Sequence, residues 1–449
     1  MTPLTTAPKL LLDVIIVGAG IGGLTVAHRL ATAGHKVTII EGAQTLGEIG
    51  AGMHLSPNVT RLLWRWGFGE KLKEVATVSE RVTSRRYDNG EVLTSRPLGD
   101  LSEREYGAPS YIIHRADLHR ILLSAVQPLV TIKLGSKATD INPNIASVTL
   151  ASGEIVEGDL VIGADGLRSK VLEVVLPPEE KKLGKLNPKH TGDVAYRALI
   201  PSDRLLADPD LREFVREGVN IWIGPERHLV GGELYNLVIV HTARNGDETV
   251  KTGDLKLMRT EFESFEPRVR KLLDLVSSAT LWPLLDRDPL TSWVHGSGKV
   301  CLLGDACHPM LPYRAQGAAM AIEDAAVLGH LLRHITHKSQ LPKLLKAYQD
   351  LRHPRATDNQ LGSRLAQKLN HLADGPEQEA RDAAMRSAME ARLKIDEGQS
   401  GSENEPGFKI FKDEKERYKL AFGYDADTDV ENWIEKNWAD TMTLVDGRN

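Results

Sequence analysis

The sequence predicts an α/β fold: a parallel sheet flanked by helices opens the chain, an antiparallel sheet is inserted near its middle, and helices close it. Three observations carry that prediction. A βαβ unit is legible between residues 10 and 41, strand-like alternation takes over between about residues 186 and 285, and beyond Leu341 the chain is helical in pattern and strongly charged.

Val14 to Val17 is a short apolar run suited to a buried strand, Ile21 to Ala33 reads as a helix rich in small residues, and Lys36 to Ile40 reads as a second strand. Between the strands lies Gly18-Ala19-Gly20-Ile21-Gly22-Gly23, a GxGxxG pattern at Gly18, Gly20 and Gly23, with Glu41 18 residues beyond the last glycine. The glycines permit a tight turn, close approach of a pyrophosphate and close helix packing, and Glu41 can accept from both ribose hydroxyls of an adenosine. The motif announces a dinucleotide without saying which one. No second GxGxxG follows a strand, since Gly67-Phe68-Gly69 lacks the pattern.

The segment from Lys299 to Leu328 makes the choice. Val300 to Leu303 form another apolar strand, Gly304-Asp305 ends it with a tight turn and a hydroxyl-binding carboxylate, Pro312 stiffens a loop, and Gln316-Gly317 open a helix. Unpaired N–H groups at a helix start carry partial positive charge, which suits the anionic pyrimidine edge of a reduced flavin. With NAD in the Rossmann-like site, this turn has no client. With FAD, both ends of one extended cofactor are served.

Two further segments keep a local and a functional reading side by side. Asp159 to Ile162 is a strand leading to Gly163-Ala164-Asp165-Gly166, where Asp165 either contacts the cofactor or caps the helix that follows. Strand Tyr111 to Ile113 runs into a helix opened by Arg115, which reaches phosphate or ribityl oxygens or is simply a solvated helix-start charge.

Val194 to Ile200, Val219 to Ile223 and Leu234 to Thr242 look like strands of an antiparallel sheet, followed by an amphipathic helix from about Leu255 to Ser277. The expected division is therefore an FAD-binding domain in two parts, residues 10–185 and 286–370, around a substrate-binding sheet at 186–285. A helical extension occupies 371–449, with a surface loop from Gly398 to Gly407.

Composition narrows the partners. Of 449 residues, 41% are hydrophobic and 26% charged, and a net charge of -5 leaves no basic surplus for nucleic acid. Small molecules are the expected partners. Cys301 and Cys307, the only cysteines, have no CxxC spacing and no zinc ligand set, and read as packed thiols in a reducing compartment. The apolar stretch from Leu10 is interrupted by Asp13 and closed by glycines, so it reads as a strand and not a signal peptide. Eighteen apolar residues never run together, and the final DGRN matches no lipidation or peroxisomal address. A cytoplasmic enzyme without a membrane span is expected; the oligomeric state is not legible.

With Gly18-Ala19-Gly20, Glu41, Gly50-Ala51-Gly52, Arg115, Gly163-Ala164-Asp165-Gly166 and Gly304-Asp305 through Asp324 in this order, the chain resembles the class A flavoprotein monooxygenases. Within them it resembles the fungal salicylate-hydroxylase-like branch, over about residues 10 to 370. The resemblance implies non-covalent FAD, with contacts at Glu41, Ala51, Gly52, Arg115, Asp305, Gly317 and Ala318, and ties Asp165-Gly166 to both FAD and NAD(P)H. It implies NADH or NADPH as a transient co-substrate, O2 added at flavin C4a as a hydroperoxide, and hydroxylation of a small aromatic substrate. A salicylate-like acid or a polyketide phenol fits, with decarboxylation or dearomatisation where the reacting carbon is substituted. Epoxidation of an alkene or indole, or a catalytically silent flavin-binding protein, are the alternatives.

Relatives of this kind commonly place an Arg facing the flavin where this chain has Arg197, and a substrate-contacting His near His228. A guanidinium pairs bidentately with a carboxylate or stabilises a phenolate, and a His takes a phenol proton. Many relatives carry a Tyr shortly after that His, whereas this chain continues Leu229-Val230-Gly231-Gly232, leaving Tyr235 as the nearest substitute. His54 falls near the flavin loop or serves the entry to the helix that follows. His308 has no carboxylate or second His at ligand spacing, so no metal is expected.

Overall fold

Short runs rich in Val, Ile and Leu suit strands covered on both faces, and four of them, with the more polar edge strand Thr131–Lys133, form a parallel sheet. Their spatial order is Val300–Leu302, Leu160–Gly163, Asp13–Val17, Lys36–Ile40 and Thr131–Lys133. Val17 stands opposite both Ile40 and Gly163, and Gly163 opposite Leu302, so the strands end level. That register brings the turns after residues 17, 163 and 302 to one edge, beside the first strand, where the strand order runs away in both directions. A ligand crevice forms at such a point in an open α/β sheet. The coordinates are a computed structural model and describe residues 10–47, 52–216, 218–232, 236–244, 246–398 and 405–446.

The helices Ile21–Thr32 and Gly317–Arg333 pack closely over this sheet because glycines leave room for it. A Cβ added at Gly22 would lie 2.7 Å from Leu303 Cδ2, and one at Gly329 would lie 2.5 Å from Arg29 Cβ.

The second large sheet has eight strands, in the order Lys251–Thr252, Thr280–Asp286, Lys189–Leu199, Asn236–Thr242, Arg227–Gly231, Val219–Gly224, Arg81–Arg86 and Val92–Pro97. Neighbours are antiparallel except Val219–Gly224 and Arg81–Arg86, which run parallel. The last two strands come from far upstream of the inserted region. Their sequence hid them: Arg81–Arg86 reads RVTSRR, with a single apolar residue.

One face of this sheet carries Tyr196, Trp222, Leu229 and Ile239, buried against Met258, Phe262, Leu272 and Leu273. The covering segment is two helices, Leu255–Glu261 and Pro267–Asp274, where the sequence suggested one. Pro267 sits at the start of the second, and a proline there cannot continue a preceding helix because it lacks the N–H. The opposite face is thinly covered: among the described residues its apolar cluster joins Ala195, Val240 and Leu284 to Leu311 and Tyr313 of the Pro312 loop, with Val238 alongside. This thinly covered face turns toward the turn edge of the parallel sheet.

Four helices close the chain, Leu341–Asn370, Pro376–Asp396, Pro406–Phe422 and Ala426–Asp446. The last packs back on the nucleotide half through buried Ala426 and Val430, and Arg65 pairs with Asp425 just before it and Asp427 in its first turn, at 2.7 and 2.8 Å. Residues 399–404 of the expected surface loop lie outside the described residues. Among the described residues, no helix is long and apolar enough to cross a membrane.

Candidate active site

The turn after the first strand is shaped by backbone alone. Gly18 has φ +105, and a Cβ there would lie 2.4 Å from the Ala164 carbonyl oxygen; one at Gly23 would lie 2.0 Å from the Gly18 carbonyl oxygen. A Cβ at Gly20 would meet nothing within 4 Å, so the mouth of the turn is open where a pyrophosphate would lie. The Ile21–Thr32 helix begins there without a side-chain cap and without an acidic residue in its first turn, leaving its N–H groups to an anion. Glu41 is held beside it: Oε2 accepts the Ala19 N–H and Oε1 the Ala43 N–H, both at 2.8 Å. Each oxygen keeps a lone pair for a ribose hydroxyl. His119 Nε2 meets the Ala19 carbonyl at 2.8 Å and supports the turn from below.

Asp165 adjoins Gly18, but its carboxylate serves its own turn. It accepts from Ser169 Oγ at 2.5 Å and from the N–H groups of Lys170 and Val171 at 2.6 and 3.3 Å. The carboxylate thus braces the turn ahead of the Leu172–Val175 helix, whose first N–H goes to Ser169 Oγ at 3.0 Å.

Gly304, at φ +63, places Asp305 in the crevice. Asp305 is open to solvent along the crevice, yet protein surrounds it closely, and burial raises its carboxyl above the ordinary range against His308, Arg115 and Arg287. Arg115 faces it and is itself lowered by burial, with Asp305 opposing that shift. Pro312–Arg314 is a single tight turn that ends on Ala315 at φ +52, an unfavourable value for a residue with a side chain. That kink feeds Gln316 and the helix Gly317–Arg333, whose first turn, with Gly317 and Ala318, has no acid and no side-chain cap. Gln316 instead turns back to Ser56 at 2.9 Å. Gly52 touches the large sheet, its carbonyl 3.5 Å from Asn236 Nδ2. Ala51 and Tyr235 lie outside the described residues.

This helix also carries one side of an ionic cluster in which Glu323, Asp324 and Arg352 are fully buried and Arg355 partly so. Arg352 bonds Asp324 at 2.9 Å and Glu323 at 2.7 Å, Arg355 bonds Glu323 at 2.7 Å, and Asn58 bonds Glu323 at 2.7 Å. Asp324 also takes the Gly304 N–H at 3.1 Å and His308 Nε2 at 2.6 Å. The chain thus brings His308 a carboxylate that local spacing did not reveal. Cys307, His308 and Asp324 lie within 4.8 Å of one another, but Arg352 on the same carboxylate and a thiol raised well above its usual range by burial do not suit a cation. Both cysteines are buried and free.

A cavity of about 620 Å³ lies between the Leu167-Arg168 turn, the Thr280–Asp286 strand and the Pro312 loop, with Arg197, Trp282, Leu284, Asp305, Leu311 and Pro312 in its wall. A larger cleft, about 1020 Å³, opens between the Arg81–Arg86 and Val92–Pro97 strands and the C-terminal helices, but touches none of the motif residues. Size alone therefore does not locate the site. Arg197 Nε is buried with no hydrogen-bond partner among the described residues, and the guanidinium lies 5.8 Å from the Trp282 ring centroid. Burial, then the charge of Arg115, disfavours its cationic form.

His228 shares that sheet face. Val240 pairs with both Ala195 and His228, while Val238 pairs with Arg197, so the two candidates stand two strands and two residues apart. At ordinary sheet spacings this is about 12 Å between Cα atoms. His228 is 3% exposed, and burial, then His371, holds its pKa well below the usual value. Its Nδ1 lies 2.8 Å from His371 Nε2, and its ring centroid lies 5.1 Å from Tyr313. His371 Nδ1 is 3.5 Å from Asp193 Oδ2, an oxygen that also accepts from Tyr313 OH and, at 2.7 Å, from Gln367 Nε2. His54 is apart from this group, with Nε2 2.7 Å from Ser110 Oγ and burial lowering it to about 4.

Asp193, Tyr313 and His371 escaped the sequence reading. Asp193 was within reach of it, lying four residues before Arg197 on one strand and hence on the same face. Tyr313 sits inside a loop already singled out, but nothing local tells that it meets His228.

The family model described as FAD binding domain matches residues 11–360. The chain is 38% identical over 386 residues to the FAD-dependent monooxygenase OpS4 of Beauveria bassiana, covering 83% of this chain and 89% of that one. It is 35% identical over 339 residues to 6-hydroxynicotinate 3-monooxygenase of Pseudomonas fluorescens, covering 73% and 84%. Among solved structures, a salicylate hydroxylase substrate complex superposes with a TM-score of 0.73 at 25% identity, covering 94% of this chain and 98% of that one.

Proposed function

The chain belongs to the FAD-binding-domain family of flavoprotein aromatic monooxygenases, and on that premise we propose that it uses NADH or NADPH and O2 to hydroxylate a small phenolic acid. The observation that carries the substrate class is Arg197. A largely buried guanidinium with an unpartnered Nε is costly until an anion joins it, and a carboxylate or phenolate satisfies it in a two-pronged fashion. Relatives named for hydroxynicotinate and salicylate, both acidic rings, support that choice.

Gly18, Gly20, Gly23 and Glu41 would hold the adenosine diphosphate end of FAD, with Gly52 and Asp165 beside it. Arg115, Gly304 and Asp305 would take the ribityl chain, and Pro312, Gly317 and Ala318 the pyrimidine edge. Bound FAD supplies reduction by the nicotinamide and transfer of one oxygen atom from O2. The protein's part is to bind, ionise and dry the substrate. Arg197 anchors the anionic group; His228, kept neutral by burial, accepts the phenol proton, because a phenolate is the better nucleophile. Tyr313 stands beside His228 and supplies a tyrosine at this position besides the Tyr235 that the sequence offered. Trp282, Leu284 and Leu311 exclude water, which would divert the oxygen to hydrogen peroxide.

In this reading the eight-stranded sheet is the substrate domain over an FAD domain, and two buried free thiols suit a reducing cytoplasm. The test is a panel of phenols on the purified yellow protein. Accelerated NAD(P)H oxidation, O2 uptake and a product heavier by one oxygen support the proposal; colourless protein, or oxidation yielding only peroxide across acidic phenols, overturns it.

A further inference from the structure

We propose that Asp193 and His371 are positioning residues that act through His228, fixing which imidazole nitrogen receives the substrate proton and carrying that proton away. The inference rests on reading His228 as the base. It begins from two distances and the burial of three side chains. Asp193 Oδ2 lies 3.5 Å from His371 Nδ1, His371 Nε2 lies 2.8 Å from His228 Nδ1, and all three side chains are nearly buried.

A neutral imidazole has one N–H and one lone pair, so the chain of contacts permits two assignments. In the first, His371 Nδ1–H faces Asp193, His371 Nε2 accepts from His228 Nδ1–H, and the lone pair of His228 is left on Nε2. In the second, every proton sits on the other nitrogen, and the bare Nδ1 of His371 points its lone pair at a carboxylate. The second is repulsive, and low local dielectric makes the repulsion count. Asp193 cannot turn away, because Tyr313 OH and Gln367 Nε2 hold the same oxygen. The first assignment therefore stands, and it leaves His228 Nε2 as a proton acceptor.

The proton count closes. The substrate O–H bond breaks and a bond to His228 Nε2 forms; the Nδ1 proton of His228 then passes to His371 Nε2. The substrate is left as phenolate, His228 is neutral again, and the imidazolium at His371 is balanced by Asp193. His371 lies at the end of the Leu341–Asn370 helix with its side chain 10% exposed, so it is the member that can release the proton. Burial lowers the pKa of His371 most and keeps it neutral at rest; Asp193 and then Glu226 favour its cation, and Arg227 opposes it. Glu226 also ties its N–H to the His371 carbonyl at 3.2 Å, pinning the helix end to the hairpin that carries His228.

The experiment is 15N NMR of the full-length, FAD-loaded protein with labelled histidine, the two rings assigned by loss of signal in His228→Asn and His371→Asn. Both rings are expected to be neutral and protonated on Nδ1 at pH 7. Asp193→Asn is expected to move His371 to the Nε2–H form or a mixture, with His228 following, and Asp193→Glu to restore the original pattern. Nε2–H rings in the unaltered protein, or rings unmoved by Asp193→Asn, overturn the relay. The unaltered protein alone decides the first point, so a variant that fails to fold does not shelter the idea. A His228→Asn protein that still turns over phenols would instead remove His228 as the base while leaving the tautomers as they are.

Discussion

Replacing Arg197 by Met keeps a long side chain and removes the fork and the charge. A charge-assisted hydrogen bond contributes about 1.5–3 kcal/mol, and Arg197 lies toward the upper end because its surroundings are largely dry. A loss of about 2–3 kcal/mol raises Kd for an acidic phenol by roughly 30- to 150-fold. Folding should change little: the Trp282 contact is long, at 5.8 Å, and the variant also removes a buried Nε that had no partner. The assay is titration of the FAD-loaded protein by flavin fluorescence, with the best acidic phenol of the panel and with its analogue lacking the carboxylate. Arg197→Lys should recover part of the affinity, since an ammonium gives charge without the fork. Unchanged affinity across the panel, or FAD lost in parallel with substrate, would refute the assignment.

Three other outcomes follow from the same contacts. Gly18→Ala puts a Cβ 2.4 Å from the Ala164 carbonyl at φ +105, so the purified variant should carry little FAD by absorbance; a fully yellow protein contradicts the turn's role. Arg352→Met leaves Glu323 and Asp324 buried without their shared cation, a cost of about 3–5 kcal/mol. Both carboxylates are held below their usual pKa in the folded protein, so their stabilisation is present above the unfolded value and lost as pH falls through the folded one. The variant should therefore melt lower and begin acid unfolding at higher pH, and an unaltered acid midpoint would count against the cluster. His28, His54 and His334 are each lowered to about 4 by burial, so stability should fall as pH drops from about 6.5 toward 4, where the unfolded chain binds protons first. Denaturant midpoints that stay flat across that range would show these rings are not buried as described.

Gly18 to Glu41 was legible because its geometry is local: strand, turn, helix and strand follow within thirty residues, each with its own pattern. Gly304-Asp305 was legible for the same reason, and the parallel register then joined the two without further information. Arg81–Arg86 was not, since a strand with one apolar residue gives no alternation to read. The long helix expected from Leu255 failed at Pro267, a stop the sequence did contain. Asp165 was ambiguous, and its carboxylate went to bracing its own turn. His371 was beyond reach in principle, because it meets His228 across 143 residues through the end of a 30-residue helix, and no spacing rule encodes that meeting.

The parallel pairing of Arg81–Arg86 with Val219–Gly224 bears on how such proteins can be recombined. The roof over the site is not a cassette. Exchanging residues 186–285 with a relative would leave two native strands abutting a foreign edge, in the registers Val82 opposite Val219 and Arg86 opposite Ile223. A graft that also carries the Arg81–Pro97 segment should fold and transfer substrate preference, whereas the contiguous block alone should yield an open, sticky sheet edge and aggregated protein.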